Sequence, residues 1–211
     1  MILEDELASG LDALCLPVDG DVARKLLDYI ALIAKWNRVY NLTAVREPEK
    51  MLGLHVLDSL AVAKHLSGHA VLDVGSGAGL PGIPLAIARP ELEVTLLDSN
   101  QKKTSFQQQA AIELGLSNVH PVNSRAESWE SGRLFDTVIS RAFAELSEFV
   151  TVAARHCAPG GVLAAMKGVY PNEEIARMPL GYTVSEVLPL GVPGVAAERH
   201  LVLVKRAERA P

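Results

Sequence analysis

The most informative chemical pattern in the chain is a carboxylate followed by closely spaced glycines. Asp73 ends an apolar run, and the glycines of the next segment stand at Gly75, Gly77, Gly79 and Gly82. Residues 83–88 are apolar and are closed by Arg89 and Pro90, which predicts a helix. A strand, a glycine loop and a helix in this order turn backbone N–H groups toward a ligand at the carboxyl end of a parallel sheet. Glycine suits such a loop because a Cβ would block the close approach of that ligand.

Two classes of cofactor are consistent with this loop. Residues 77–82 fit the G-x-G-x-x-G pattern that binds the pyrophosphate of dinucleotides, although a single match of this kind is weak evidence. Residues 73–79 are similar to the first motif of class I S-adenosylmethionine-dependent methyltransferases. A carboxylate at the strand end suits a ligand with a cationic amino-acid end and repels a pyrophosphate. We therefore favour S-adenosylmethionine, with Asp73 and Gly77 at its site. A tight turn without a ligand is the remaining alternative.

A second carboxylate stands at the end of the next predicted strand. Residues 92–97 are largely apolar and β-branched, and Asp98 follows them, 19 residues after Gly79. This spacing is close to the ~20 residues at which an acid reaches the ribose of a bound nucleoside. A solvated Asp that caps the following helix is the alternative. With the glycine loop upstream, we predict that Asp98 accepts hydrogen bonds from the ribose hydroxyls.

The elements that must position these residues fall into two stretches. Residues 1–68 carry helical periodicity, which predicts an N-terminal helical extension. From residue 69 onward, strands alternate with helices, so residues 69–211 are predicted to form a Rossmann-like domain. The fold class is therefore α/β, with a doubly wound, mostly parallel sheet. The last two strands, 182–188 and 200–205, are joined by a loop rich in Pro and Gly and predict an antiparallel edge.

Composition restricts the compartment and the partners. The chain has 211 residues, 49% of them hydrophobic, and no apolar run long enough to span a membrane. Its two cysteines are too few for a disulfide framework, and no Cys/His cluster predicts a metal site, so we expect a cytoplasmic protein without metal. The net charge of −5 means that any RNA contact must use a local basic patch. The candidates are Lys102 and Lys103, which begin a predicted helix, and Arg199 and Lys205, in a tail that also holds Arg206 and Arg209.

Five stretches of the chain are similar to one known family. They are KWNRVYNLT at 35–43, HVLDSL at 55–60, DVGSGAGLPG at 73–82, SRAE at 124–127 and SRA at 140–142. Leu-Pro-Gly within the glycine loop is more distinctive than the glycines themselves. On these motifs the chain resembles the bacterial small-subunit ribosomal RNA guanine-N7 methyltransferases, formerly named glucose-inhibited division protein B. The likeness extends over about residues 25–205.

The resemblance implies methylation of N7 of one guanine in 16S rRNA, in the decoding region. By the same resemblance, Gly75 and Leu80 would contact the cofactor, and Ala126 with Glu127 would line the adenine. Arg141 would lie where the cofactor and the target base meet. N7 methylation requires no general base, so the role expected for Arg141 is to orient the substrate. We expect a monomer that acts on 16S rRNA, either free or within the 30S subunit.

Two questions stay open at this point. His55 and Asp58 are one helical turn apart, and we interpret them as a structural pair between the extension and the sheet rather than as a catalytic pair. An NAD-dependent oxidoreductase, supported only by residues 77–82, and a non-catalytic RNA-binding assembly factor are the other functions consistent with these motifs.

Overall fold

The computed structural model of the protein describes residues 2–141, 143 and 145–207. The α-helices are α1 (Ile2–Ala13), α2 (Gly20–Tyr40), α3 (Pro48–Met51), α4 (Asp58–Leu60), α5 (Gly82–Ala88), α6 (Gln101–Glu113), α7 (Leu146–Ala153) and α8 (Asn172–Ala176). A π-helix, Leu52–Leu57, joins α3 to α4, and 3₁₀ turns lie at Ala63–His65 and Ala154–His156. The strands are β1 (Ala70–Val74), β2 (Glu93–Asp98), β3 (Val119–Asn123), β4 (Phe135–Ser140), β5 (Cys157–Lys167), β6 (Tyr182–Pro189) and β7 (His200–Arg206).

The strands form one seven-stranded sheet in the order β3-β2-β1-β4-β5-β7-β6. The first five strands of the chain are parallel, whereas β7 runs antiparallel to both β5 and β6. The predicted α/β class and the antiparallel hairpin at the edge are therefore confirmed. Since the chain winds outward from β1 in one direction and from β4 in the other, a crevice opens between the carboxyl ends of these two strands.

Side chains alternate between the two faces of the sheet and bury two hydrophobic clusters. One cluster packs the sheet against α1, α2, α5 and α6, and it includes Leu26, Ile83, Leu96 and Phe106. The other lies under α7 on the opposite face and includes Leu97, Val138 and Phe149. The N-terminal helices share the first cluster with the sheet, so the division into two domains at residue 68 stays a prediction.

Local capping groups explain where the long helices begin. The Asp19 carboxylate accepts the Val22 N–H at 2.9 Å, and the Asn100 side-chain oxygen accepts the Lys102 N–H at 3.0 Å. Both bonds satisfy an N–H group that the first turn of a helix leaves without a partner. The cap at Asn100 begins α6 two residues after Asp98, which aligns that helix with the end of β2.

Two elements have features that their sequence does not indicate. Helix α2 extends to Tyr40, and strand β5 begins at Cys157. The Pro-Gly-Gly segment of β5 forms an irregularity within the strand instead of a separate turn. Helical periodicity over residues 1–68 does not distinguish the π-helix from an α-helix, and α8 is too short for its periodicity to be recognised.

Candidate functional site

The glycine loop after β1 adopts a backbone that only glycine accommodates well. Gly75, Gly77 and Gly79 all have positive φ angles, of 70°, 59° and 86°. A Cβ on Gly79 would overlap the side chain of Ile83 in the first turn of α5. A Cβ on Gly82 would overlap Leu96 of β2. The glycines therefore give the loop its shape and let α5 pack closely against the sheet.

Side chains from three other elements hold this loop in place. The Asp98 Oδ2 atom accepts the Gly77 N–H at 2.8 Å. The Gln107 amide of α6 donates to the Gly77 carbonyl at 2.8 Å, and the Tyr29 hydroxyl of α2 donates to the Ala78 carbonyl at 2.6 Å. Neither Gln107 nor Tyr29 could be recognised from the sequence, since an isolated polar group on a helix gives no signal of its long-range partner.

Asp73 lies beneath the loop and is completely buried, with a relative exposure of 0%. Its Oδ2 atom accepts the Gly82 N–H at 2.9 Å, whereas its Oδ1 atom has no hydrogen-bond partner among the described residues. Burial raises the pKa of the Asp73 carboxyl to about 7, because removal from water disfavours the charged form. The predicted direct contact between Asp73 and a cofactor needs an exposed carboxylate oxygen, which this arrangement does not offer. Asp73 therefore acts on the cleft by fixing the position of Gly82.

Three neighbouring cavities follow the carboxyl edge of the sheet. The strand-end cleft, of about 280 Å³, is lined by residues that include Val74, Gly75, Leu97, Asp98, Ala126, Glu127 and Phe143. The loop cleft, of about 180 Å³, is lined by Leu42, Thr43, Gly75, Ser76, Gly77, Ala78, Leu80 and Arg141. The arginine cavity, of about 370 Å³, is lined by residues that include Leu54, His55, Asp58, Arg141, Met166 and Arg199. The predicted cofactor residues other than Asp73 thus lie together along this edge.

Ala126 and Glu127 are held at the strand-end cleft through their main chain. The Ala126 carbonyl is 3.1 Å from His156 Nε2, and the Glu127 carbonyl accepts from Arg155 at 2.7 Å. The Glu127 side chain itself is exposed. Because both carbonyls bond to the segment that follows α7, the loop after β3 is positioned by an element far along the sequence.

Arg141 follows β4 and contacts the N-terminal helices. It donates to the Leu54 carbonyl at 3.1 Å and to Asp58 Oδ2 at 3.0 Å. Arg199, which directly precedes β7, donates to Asp58 Oδ1 at 2.8 Å. One buried carboxylate, with a side chain only 3% exposed, therefore binds two arginines. His55 bonds to Thr43 instead, through Nε2 at 2.8 Å, so the predicted pairing of His55 with Asp58 is wrong.

His55 is buried on the π-helix, and this burial lowers its pKa below the usual 6.5 because the protonated ring is poorly solvated. Its partner Thr43 is placed by Asn37, whose amide donates to the Thr43 carbonyl at 3.0 Å and whose carbonyl oxygen accepts the Thr43 N–H at 3.0 Å. This network explains why the segment 37–43 carries Asn and Thr. It ties the end of α2 to the wall of the loop cleft.

The four predicted RNA-contacting cations do not form one patch. Lys102 and Lys103 begin α6 beside the strand-end cleft, and Lys103 Nζ lies 3.9 Å from Asp98 Oδ2. Arg199 lies at the arginine cavity. Lys205 lies near the end of β7, where the neighbouring Val204 pairs with Leu163 of β5. Because β7 is antiparallel to β5, Lys205 lies toward the amino ends of the parallel strands, away from the cavities. Arg209 and Ala142 lie outside the described residues.

The strand order, the antiparallel last hairpin and the glycine loop at the crevice define the fold of class I methyltransferases. A solved glycopeptide N-methyltransferase, MtfA, complexed with S-adenosyl-L-homocysteine, matches 72% of this chain and 87% of its own with a TM-score of 0.63. The sequences of the two are 12% identical, so this match bears on the fold alone.

The family of the chain follows from its similarity to known sequences. Residues 22–202 match the GidB family, described as rRNA small subunit methyltransferase G, and the chain belongs to this family. It is 56% identical to the ribosomal RNA small subunit methyltransferase G of Nitrosospira multiformis, over 96% of this chain and 97% of the relative. It is 54% identical to the protein of the same name from Chromobacterium violaceum, over 93% and 95% of the two chains.

Proposed function

We propose that this protein transfers a methyl group from S-adenosylmethionine to N7 of one guanine in 16S rRNA. Membership of the rRNA small subunit methyltransferase G family over residues 22–202 is the observation that carries the proposal. The class I fold and the cavities at its crevice support the cofactor class. The dinucleotide alternative is disfavoured, because the family that residues 22–202 match is one of rRNA methyltransferases.

The residues at the crevice suit S-adenosylmethionine. In the strand-end cleft, Asp98 supplies an acceptor for ribose hydroxyls, and Val74, Leu97 and Phe143 supply apolar walls for a purine. Ala126 and Glu127 border the same cleft, while Gly75, Gly77 and Leu80 border the loop cleft beside it. The Asp73 Oδ1 atom has no hydrogen-bond partner among the described residues, and a cationic amino-acid end above the loop would favour the ionised form of this carboxyl.

Methyl transfer to N7 requires mainly that the protein orients the cofactor and the base. The bound cofactor supplies an electrophilic methyl group on a sulfonium. Guanine N7 carries an in-plane lone pair and no proton, so no side chain has to act as a base. Holding two reacting groups in line contributes about 7–11 kcal/mol to such a step. Arg141, which lines both the loop cleft and the arginine cavity, is the residue we assign to orienting the base.

The partners follow from this reaction. The base must be unstacked before N7 can approach the methyl group, so a single-stranded or distorted segment of 16S rRNA is the substrate we propose. We also propose that the protein acts as a cytoplasmic monomer, on free rRNA or on the 30S subunit. Within the described residues, none of the helices combines the length and the apolar character of a membrane span.

The proposal is tested by methylating RNA that lacks the modification. Free 16S rRNA and 30S subunits, both unmethylated, are incubated with the protein and labelled S-adenosylmethionine. N7-methylguanine carries a positively charged ring, so borohydride and aniline should cleave the RNA at the modified base. A single new cleavage site in 16S rRNA is the expected result, and the two substrates show which form is preferred. Label confined to another atom or another RNA would contradict the proposal.

A further inference from the structure

The three cavities lie in a row along the carboxyl ends of the strands, and neighbouring cavities share a lining residue. Gly75 lines both the strand-end cleft and the loop cleft, and Arg141 lines both the loop cleft and the arginine cavity. If the nucleoside end of the cofactor occupies the strand-end cleft, its amino-acid end reaches the loop cleft. The arginine cavity is then the next space beyond the loop cleft, with Arg141 as the shared wall.

The lining of the arginine cavity combines apolar side chains with a cluster of charged side chains. Val45, Leu54, Met166 and Leu190 supply the apolar part. Asp58, Arg141 and Arg199 supply the polar part, joined by the two hydrogen bonds to the Asp58 carboxylate. His55 also lines the cavity, and within the part of the chain that the structure describes its buried Nδ1 atom has no hydrogen-bond partner. At about 370 Å³, the cavity falls in the usual range for small-molecule sites, about 300–1,000 Å³.

We infer that the arginine cavity receives the unstacked guanine, and that Asp58 is the positioning residue which holds Arg141 and Arg199 for this base. The inference rests on the proposed function and deepens it, because it adds the acceptor site to a proposal that specified only the reaction. The Watson–Crick edge of guanine presents two neighbouring donors, N1–H and the N2 amino group, beside the O6 acceptor. The O6 acceptor is complementary to guanidinium donors, so the arginines that Asp58 holds can bind this edge.

A base fits this cavity better than a phosphate does. The apolar walls can contact the two faces of a planar ring but offer nothing to a phosphate. The Asp58 carboxylate neutralises one of the two guanidinium charges, which weakens the attraction of the cavity for an anion. Lys167, which also lines the cavity, is already bonded to Glu174 at 2.7 Å, so part of its charge is neutralised.

The need for Asp58 follows from the chemistry of guanine. Arginine commonly binds guanine through O6 and N7 together. That contact would occupy the N7 lone pair, which must remain free to accept the methyl group. Asp58 takes one donor from each guanidinium, and the Leu54 and Glu198 carbonyls take others from Arg141 and Arg199. The arginines are therefore held in place with fewer donors left to reach N7.

Base binding can be observed directly through Met166. The chain has four methionines, and Met166 lines the cavity whereas Met51 is fully buried elsewhere. Protein labelled with ¹³C at the methionine methyl groups and saturated with S-adenosylhomocysteine is titrated separately with guanosine and with inorganic phosphate. Guanosine should shift the Met166 signal saturably and leave Met51 unchanged. A Met166 shift with phosphate but not with guanosine would overturn the inference.

Arg199 and Arg89 provide a matched pair of variants. Their side chains are 23% and 27% exposed, and each donates once to a carboxylate and once to a backbone carbonyl. Only Arg199 lines the cavity. Arg199→Ala should abolish the guanosine-dependent Met166 shift and raise the KM for RNA at least tenfold, with S-adenosylmethionine affinity within twofold of wild type. Arg89→Ala should retain the shift and the KM.

Asp58→Asn tests the positioning role, since it keeps the shape of the side chain but weakens both ion pairs. It should lower kcat for N7 transfer at least tenfold while S-adenosylmethionine affinity stays within twofold. Wild-type behaviour of both Arg199→Ala and Asp58→Asn in protein that methylates N7 would overturn the inference alone. Failure of the wild-type protein to methylate any guanine N7 would instead overturn the proposed function. The guanosine titration needs no methyl transfer, so it tests base binding whether or not the protein methylates N7. It uses the wild-type protein and therefore does not depend on the folding of Asp58→Asn.

Discussion

The Asp98 carboxylate accepts the Gly77 N–H at 2.8 Å, so the end of β2 directly supports the glycine loop that follows β1. The other carboxylate oxygen accepts the Asn100 N–H at 2.8 Å, ahead of the cap of α6. Asp98 is 7% exposed and lines the strand-end cleft. One side chain thus shapes the loop and presents acceptor lone pairs to the cleft.

Asp98→Ala should weaken S-adenosylmethionine binding by about 1.5–3 kcal/mol, the range for hydrogen bonds to a charged group. It should also lower the free energy of unfolding, because two backbone N–H groups lose their acceptor. Asp136→Ala is the control, since Asp136 accepts the His69 and Ala70 N–H groups, both at 2.9 Å, at the start of β1. The control should lose stability but keep cofactor affinity. Calorimetric titration that finds equal affinity in both variants would remove Asp98 from the binding site.

Asp73 should make stability depend on pH in an uncommon direction. Burial raises its pKa from 3.8 to about 7, so between these values the folded state keeps a proton that the unfolded state has lost. Stability from this group therefore falls as pH rises from about 4 to about 7 and is constant above that. The full effect is at most about 4 kcal/mol. Urea unfolding at several pH values should show a flatter profile for Asp73→Asn than for wild type; parallel profiles would contradict the assignment.

Arg141→Ala should reduce methyl transfer more than about tenfold, or about 1.4 kcal/mol of barrier. Arg141→Lys should rescue poorly, because an ammonium cannot reproduce the planar guanidinium that reaches both Leu54 and Asp58. Thermal unfolding measured alongside separates lost catalysis from lost fold. Near-normal turnover of the folded Ala variant would mean that Arg141 only links the π-helix to β4.

Methyl transfer in a single turnover at saturating cofactor and RNA should be nearly flat between about pH 6.5 and 8.5. N7 has no proton to remove, and burial lowers the pKa of His55, which favours its neutral ring. His55→Ala should keep the pH profile flat and lose the contact with Thr43. A rate that climbs tenfold per pH unit would require a general base and exclude N7 as the acceptor.

RNA affinity should fall with salt, at a slope of about −0.7 per neutralised phosphate of a single strand. The lysines differ in position, so their substitutions should have different effects on this slope. Lys102→Ala and Lys103→Ala should flatten the slope, since α6 begins at the edge that holds the cavities. Lys205→Ala should leave it unchanged, because β7 carries Lys205 toward the opposite edge. Binding curves at several salt concentrations would contradict this if Lys205 had the larger effect.

The sequence alone determined the elements whose signals are local. Asp73, the glycines and the apolar residues after them identify a strand, a loop and a helix within 16 residues, because each backbone preference is expressed by its own residue. Asp98 could be assigned to the end of β2 because it directly follows the apolar run 92–97. The final hairpin was predictable for the same reason, since Pro and Gly mark its loop.

Only the tertiary structure decided which distant residues meet. Arg141 and Arg199 contact Asp58 across separations of 83 and 141 residues, and no local pattern encodes such contacts. Complete burial of Asp73 depends on the packing of α5 over β1, which turns a predicted ligand contact into support for the loop. Lys205 and Arg199 are six residues apart in one hairpin, yet an antiparallel strand carries them toward opposite edges of the sheet. Strand direction is a property of the assembled sheet, and it decides which charges can share a surface.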